Sequence, residues 1–222
     1  VYTTKIANID CMYKINGQNL LITFSFKDLG VTMDFRLLFN THVSHGTGDA
    51  YRNLGFLIRN TRSFYNITSI MTLFNSIVRS KLEYASIIWC PSYNSHQNQI
   101  EKTQKRFLRY LHFKRYHKSS YTQRISYTEL LREFNYESLS CRRDIFQQIF
   151  LYKAVNGLLD NSYFLAKLNF NISRNQLRNR RLLTCKIAKT NVHKNSPLLR
   201  ISRNFNSISE VVPGLDFSLP LP

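Results

Sequence analysis

The chain has 222 residues, 43% hydrophobic and 14% aromatic, enough to bury the core of one large domain or two small ones and to exclude a disordered tail. Thirty-one lysines and arginines against thirteen acidic residues give a formal charge of +18, which points to a polyanionic partner. No apolar run approaches the roughly 18 residues of a membrane span and no signal-peptide pattern opens the chain, so no membrane partner is expected. Four cysteines, scattered without a CxxC pair, suit reduced intracellular thiols better than a disulfide framework or a zinc site.

The chain opens at Val1 in strand-like sequence, and a piece of a longer reading frame is expected. Asn16-Gly17, a strong two-residue hairpin signal, lies between Tyr13-Lys14-Ile15 and the β-prone stretch from Leu20 to Phe26, so a hairpin plus a third strand ending near Met33 is predicted. From about Leu37 the period lengthens. Leu38, His42 and His45, then Tyr51, Leu54, Leu57 and Ile58, recur as on a helix with one buried stripe, with Gly46 and Gly48 as candidate interruptions.

Asn66 is placed to cap a second helix whose stripe runs from Ile67 through Ile70, Phe74, Val78 and Leu82 to Ile88, ended by Cys90-Pro91. A third helix spans about His96 to Phe113, with Ile100, Phe107, Leu108 and Leu111 on one face. Two more cover Tyr127 to Phe134 and Leu139 to Asn156, the latter stopped by Gly157. Beyond Asp160 short apolar runs sit among Asn, Arg and Lys. The predicted fold class is mainly α with a small antiparallel β element at the N-terminus (α+β), divided into a hairpin region 1–36, a helical bundle 37–157 and a basic, weakly structured region 158–222.

Basicity rises along the chain, from net +4 over residues 1–100 to +6 over 101–160 and +8 over 161–222. On the third helix Lys102, Lys105, Arg106 and Arg109 fall within about 100° of one another, opposite the apolar residues. Lys114, Arg115 and Lys118 extend the set to seven basic groups with no acid between, interleaved with Tyr110 and Tyr116. Such a strip suits a nucleic-acid backbone. The plainer reading is a solvated outer face of an amphipathic helix, although such faces normally mix both signs.

Metal chemistry finds no foothold in the pattern. Asp28, Asp34 and Asp49 are isolated, no Asp-Asp pair occurs, and Glu129, Glu133 and Glu137 look like one solvated helix face. His42 with His45, and Cys185 with His193, lack further ligands at metal spacing. Trp89 is expected in the core beneath the Pro91 turn.

Several blocks, in order, resemble the region after the polymerase active site in non-LTR (LINE-type) retrotransposon reverse transcriptases: YKINGQNL, KDLGVTMDFRLLFNTHV, LGFLIRNTRSF, IVRSKLEYASIIWCP, IEKTQKRFLRYL and, at 196–206, SPLLRISRNFN. The resemblance covers nearly the whole chain. It implies that residues 1–36 are the end of the palm, with a primer grip at Asp28, Leu29, Gly30 and Val31 where glycine would let backbone approach nucleic acid. It implies that residues 37–157 are a helical thumb packed on a template-primer RNA/DNA duplex, and that the palm and fingers of the same polyprotein are partners. The catalytic aspartates and their magnesium ions would lie upstream, so the chain alone would be no enzyme and would carry no cofactor and no metal. The alternatives are a decayed mobile-element remnant, or a helical interaction module whose basic surface is incidental. With seven cations engaged, affinity for a hybrid duplex should fall about a thousandfold or more between about 50 and 200 mM salt.

Overall fold

A computed structural model of the chain describes residues 13–19, 23–116, 125–171, 181–212 and 217. It is mainly helical with small antiparallel β elements near the N-terminus. Strands β1 (Lys14–Ile15) and β2 (Gln18–Asn19) pair Lys14 with Asn19 and Ile15 with Gln18. The turn residues Asn16 and Gly17 both take positive φ, 48° and 77°, as a two-residue hairpin loop requires. Strands β3 (Ser25–Asp28) and β4 (Val31–Asp34) form a second hairpin, from Ser25↔Asp34 to Asp28↔Val31. The described strands thus make two separate two-stranded sheets where the sequence suggested a hairpin with a third strand.

Helix α1 (Asn40–Asn60) runs unbroken through Gly46, Gly48 and Gly55. Its buried stripe is Val43, Thr47, Ala50, Leu54 and Leu57, spaced at three and four residues. That phase turns His45 and Tyr51 outward, against the stripe read from sequence. Asn66 caps α2 (Ile67–Phe74) by accepting from the Ser69 amide at 3.3 Å. A π-helical turn, Asn75–Arg79, leads into α3 (Ser80–Glu83), and α4 (Ser86–Trp89) follows after a break.

The single helix anticipated up to Cys90 is therefore interrupted at Ala85, which sits at φ 51°. Left-handed backbone at a non-glycine residue costs on the order of 1–3 kcal/mol and persists only where surroundings enforce it. Here Trp89 Nε1 donates to the Tyr84 carbonyl at 2.7 Å, and the Tyr84 hydroxyl donates to the Leu29 carbonyl at 2.8 Å.

Helix α5 (Asn94–Tyr116) is central, burying Ile100, Thr103, Gln104, Phe107, Leu108 and Leu111. Phe107 stacks on Phe74 at 3.8 Å between ring centroids, with Tyr136 tilted against both at 6.3 Å. Phe74 and Phe107 are fully buried, and each such ring contributes about 1.5–3 kcal/mol. Helix α6 (Tyr127–Glu133) opens with a capping box between Ser126 and Glu129. Helix α7 (Leu139–Val155) is closed by Gly157 at φ 69°, with Leu158 N donating to Lys153 O and Gly157 N to Ala154 O.

The described part of 158–222 is packed, contrary to the weak structure expected there. Helices α8 (Ser162–Lys167), α9 (Asn191–Lys194) and α10 (Pro197–Val211) accompany a bridge between Phe170 and Leu183. Leu151 of α7 joins Leu168, Leu183, Ile201 and Phe205 in a second core. Asn206 holds this region by accepting from Leu183 N at 3.2 Å and donating to Leu183 O at 2.7 Å. Among the described residues no helix is long and apolar enough to cross a membrane.

Candidate nucleic-acid interface

Helices α1 and α5 lie side by side and run in the same direction. Gln99 Nε2 donates to Thr47 Oγ1 at 2.9 Å near one end, Arg106 meets Tyr51 midway, and the Tyr110 and Thr61 hydroxyls lie 2.9 Å apart near the other. With its apolar stripe turned inward, α5 sends Lys102, Arg106 and Arg109 to solvent. Lys105, half-buried at the edge of this face, places its ammonium 5.9 Å from the centre of the Tyr127 ring. Arg106 stacks over Tyr51 at 4.7 Å and donates a hydrogen bond to its hydroxyl, which fixes the guanidinium at the seam between the two helices.

No acid offsets this face from within α5. Glu101 precedes Lys102 but turns toward α6 and α7, accepting from the Tyr127 hydroxyl at 2.5 Å and from Ser140 N at 2.8 Å. Burial, reinforced by the Glu101 carboxylate, pushes the Tyr127 hydroxyl far above the usual phenol range and keeps it a neutral donor. Helix α1 adds cations that the sequence reading did not single out. The Arg59 guanidinium folds over Gly55, where a Cβ would meet its Nη1 at 3.5 Å, and Arg62 follows the helix end in an exposed position. Arg52 is matched by Asp49.

The remaining cations of the sequence-derived strip do other work or lie elsewhere. Lys114 donates to the carbonyls of Thr61 at 2.7 Å and Arg62 at 3.0 Å and to that of Phe64, closing the C-terminal end of α1; burial lowers its pKa. Arg115 pairs with Glu133 Oε1 at 3.3 Å and lies over Phe134 at 5.2 Å. Lys118 falls outside the described residues. The group that the fold brings together is thus Lys102, Arg106 and Arg109, flanked by Lys105.

The three glutamates do not share a face. Glu129 belongs to the capping box, and its hydrogen bonds from Ser126 lower its pKa. Glu133 also meets His112 Nδ1 at 2.9 Å, and Glu137 lies past the end of α6, its carbonyl accepting from Gln104 at 2.8 Å. Among the described residues no group of three His, Cys, Asp or Glu could hold a metal ion.

At the β3–β4 turn Leu29 and Gly30 take φ 43° and 83°, the left-handed pair of a tight hairpin loop. Asp28 is exposed, Leu29 is 84% exposed at the tip, and Val31 is 2% exposed within the main core. The close approach at Gly30 is made by the chain itself, since a Cβ there would lie 3.3 Å from Tyr84 Cε1. A second tie comes from His42, whose Nδ1 accepts from Thr32 N at 3.3 Å while its ring meets Trp89 edge-on at 5.3 Å. Trp89 itself is buried in the core as expected, and burial, with Lys27 and His45 nearby, lowers the pKa of His42. Hairpin and helical body are therefore joined at Tyr84 and at His42.

No family model, no curated protein and no solved structure matches this chain.

Proposed function

We propose that the chain grips a nucleic-acid duplex through its phosphates, as the thumb-like part of a LINE-type reverse transcriptase whose catalytic aspartates lie elsewhere in the parent protein. The observation that carries this reading is the outer face of α5. Lys102, Arg106 and Arg109 are exposed, form no ion pair among the described residues, and have their nearest sequence acid, Glu101, turned away. Cations left in this state bind phosphate by releasing its counterions, without regard to base sequence.

The Arg106–Tyr51 stack gives this face one ordered point. The hairpin tip at Leu29, held to the same helical body through Tyr84, is the element that would meet a primer end. Catalysis is not assigned to this chain, and primer extension by the isolated protein with magnesium should give no product.

Substitution of Lys102, Arg106 and Arg109 together by glutamate tests the reading by fluorescence anisotropy on a labelled RNA/DNA hybrid. Affinity at low salt should fall about a hundredfold or more, with the circular dichroism spectrum preserved and the melting temperature within about 3 °C of wild type. Binding that survives the triple reversal would leave the basic face incidental.

A further inference from the structure

Away from the α5 face, a cavity of about 200 Å³ opens between α7, α10 and the Cys90-Pro91 turn. Three arginines line it, Arg143 from α7 and Arg200 and Arg203 from α10, against the single carboxylate of Asp144. Arg200 is consumed by the fold: its Nε donates to Gln147 Oε1 at 2.9 Å, its Nη1 to Asn195 O at 2.9 Å, and its Nη2 to Ile87 O. Arg203 is anchored on the carbonyls of Leu199 and Lys194, and Asp144 accepts from Asn204 Nδ2 at 2.9 Å.

Arg143 is different. The residue is 2% exposed, yet its Nη1 and Nη2 have no hydrogen-bond acceptor, and it forms no ion pair among the described residues. Glu101, the acid on the far side, is already held by Tyr127 and Ser140. A buried guanidinium whose two Nη atoms lack an acceptor, and which acts on the Asp144 carboxylate only through space, is among the costlier features a small fold can keep. Three arginines against one aspartate leave the cavity at a formal +2, which a phosphate dianion matches in charge, and the volume admits a group of that size. The first turn of α5 also reaches the cavity, at Gln97, and the positive end of a helix favours an anion there.

We propose that this cavity binds a compact phosphate, with Arg143 supplying charge from the wall and Arg203 and Asn204 meeting the anion at the rim. The site does not depend on the duplex-gripping reading, because none of its residues lies on the exposed α5 strip.

Thermal melting of the full chain at matched ionic strength tests it. About 10 mM inorganic phosphate should raise the melting temperature by several degrees over chloride, as a ligand that binds only the folded state must. Arg143→Met keeps the volume of the side chain and removes the unpaired charge. In chloride it should melt at or above the wild-type temperature, and in phosphate it should lose the gain, which separates site binding from general salting-out. Arg203→Gln, at the rim, should lose at least half of the gain, whereas Lys102→Glu with Arg109→Glu should keep it. Methyl phosphate and dimethyl phosphate then identify the source. Equal responses assign the site to a phosphate within a polymer chain, and a response to methyl phosphate alone assigns it to a free or terminal phosphate. The same melting temperature in phosphate and chloride, or an undiminished phosphate gain in Arg143→Met, would overturn the proposal.

Discussion

Two groups of arginine and lysine divide this chain, and they differ in what water does for them. Lys102, Arg106 and Arg109 on α5 remain hydrated, so their charge costs the fold little and is available to a partner. Arg143, Arg200 and Arg203 line a cavity between packed helices, and there each charge must be answered by the chain or by a bound anion. Lys114 stands between the two cases: it lies on α5 like the exposed strip, yet it is spent on the carbonyls of the turn just past α1. Sequence spacing treats Lys102 and Lys114 alike. What separates them is whether an orphan carbonyl lies within reach.

That contrast gives substitutions of opposite signature. The largest effect is expected for Arg106→Glu combined with Arg109→Glu, which should weaken binding of a hybrid duplex about thirtyfold or more while the melting temperature falls by no more than about 3 °C, for the lost Arg106–Tyr51 stack. Lys114→Met should do the reverse. Loss of a charged donor shared by three carbonyls should cost about 1–2 kcal/mol in urea unfolding, while duplex affinity stays within about twofold.

Leu29→Asn should stabilise the fold by up to about 1 kcal/mol, because asparagine tolerates the φ of 43° that leucine accepts under strain. If the exposed tip serves a primer end, the more stable variant should grip duplexes with a recessed 3′ end less well than wild type and blunt duplexes equally.

The smallest effect concerns pH. A neutral His42 accepts from Thr32 N, and burial lowers its pKa, so the unfolded chain takes up the proton first as pH falls. Stability should be constant above the ordinary histidine value near 6.5 and decline as pH drops through and below it. Chemical denaturation from pH 7.5 to 5.5 checks this, and His42→Gln should flatten the dependence.

Much of the fold was legible where the signal is local. Asn16-Gly17 marked its hairpin because the turn geometry admits few other residues. Helix α5 was found from its periodicity, and Gly157 was recognised at the end of α7 because the position demands a left-handed residue. The break at Ala85 left no trace in sequence, since neither glycine nor proline marks it; it is enforced by Trp89 and by Tyr84 reaching the β3–β4 turn.

The C-terminal region was under-read for a related reason. Its core collects Leu151, Leu168, Leu183, Ile201 and Phe205 from separate segments, and no single segment shows an extended stripe outside α7 and α10. The site was partly legible. The outward group on α5 followed from helical spacing, but the role of Lys114 depends on partners about fifty residues away in sequence. The arginine cavity had one overlooked signal: the inward row of α7 reads Leu139, Arg143, Gln147, Leu151 and Ala154, and a charged residue in an apolar row marks a buried polar site.

The most direct test of the central claim is the salt dependence of binding to RNA/DNA hybrids of unrelated sequence. With about four phosphates engaged by the exposed cations, in place of the seven contacts counted from sequence, affinity should fall about a hundredfold between about 50 and 200 mM salt and by the same factor for every sequence. Binding that is undetectable at low salt, insensitive to salt, or confined to one sequence would contradict it.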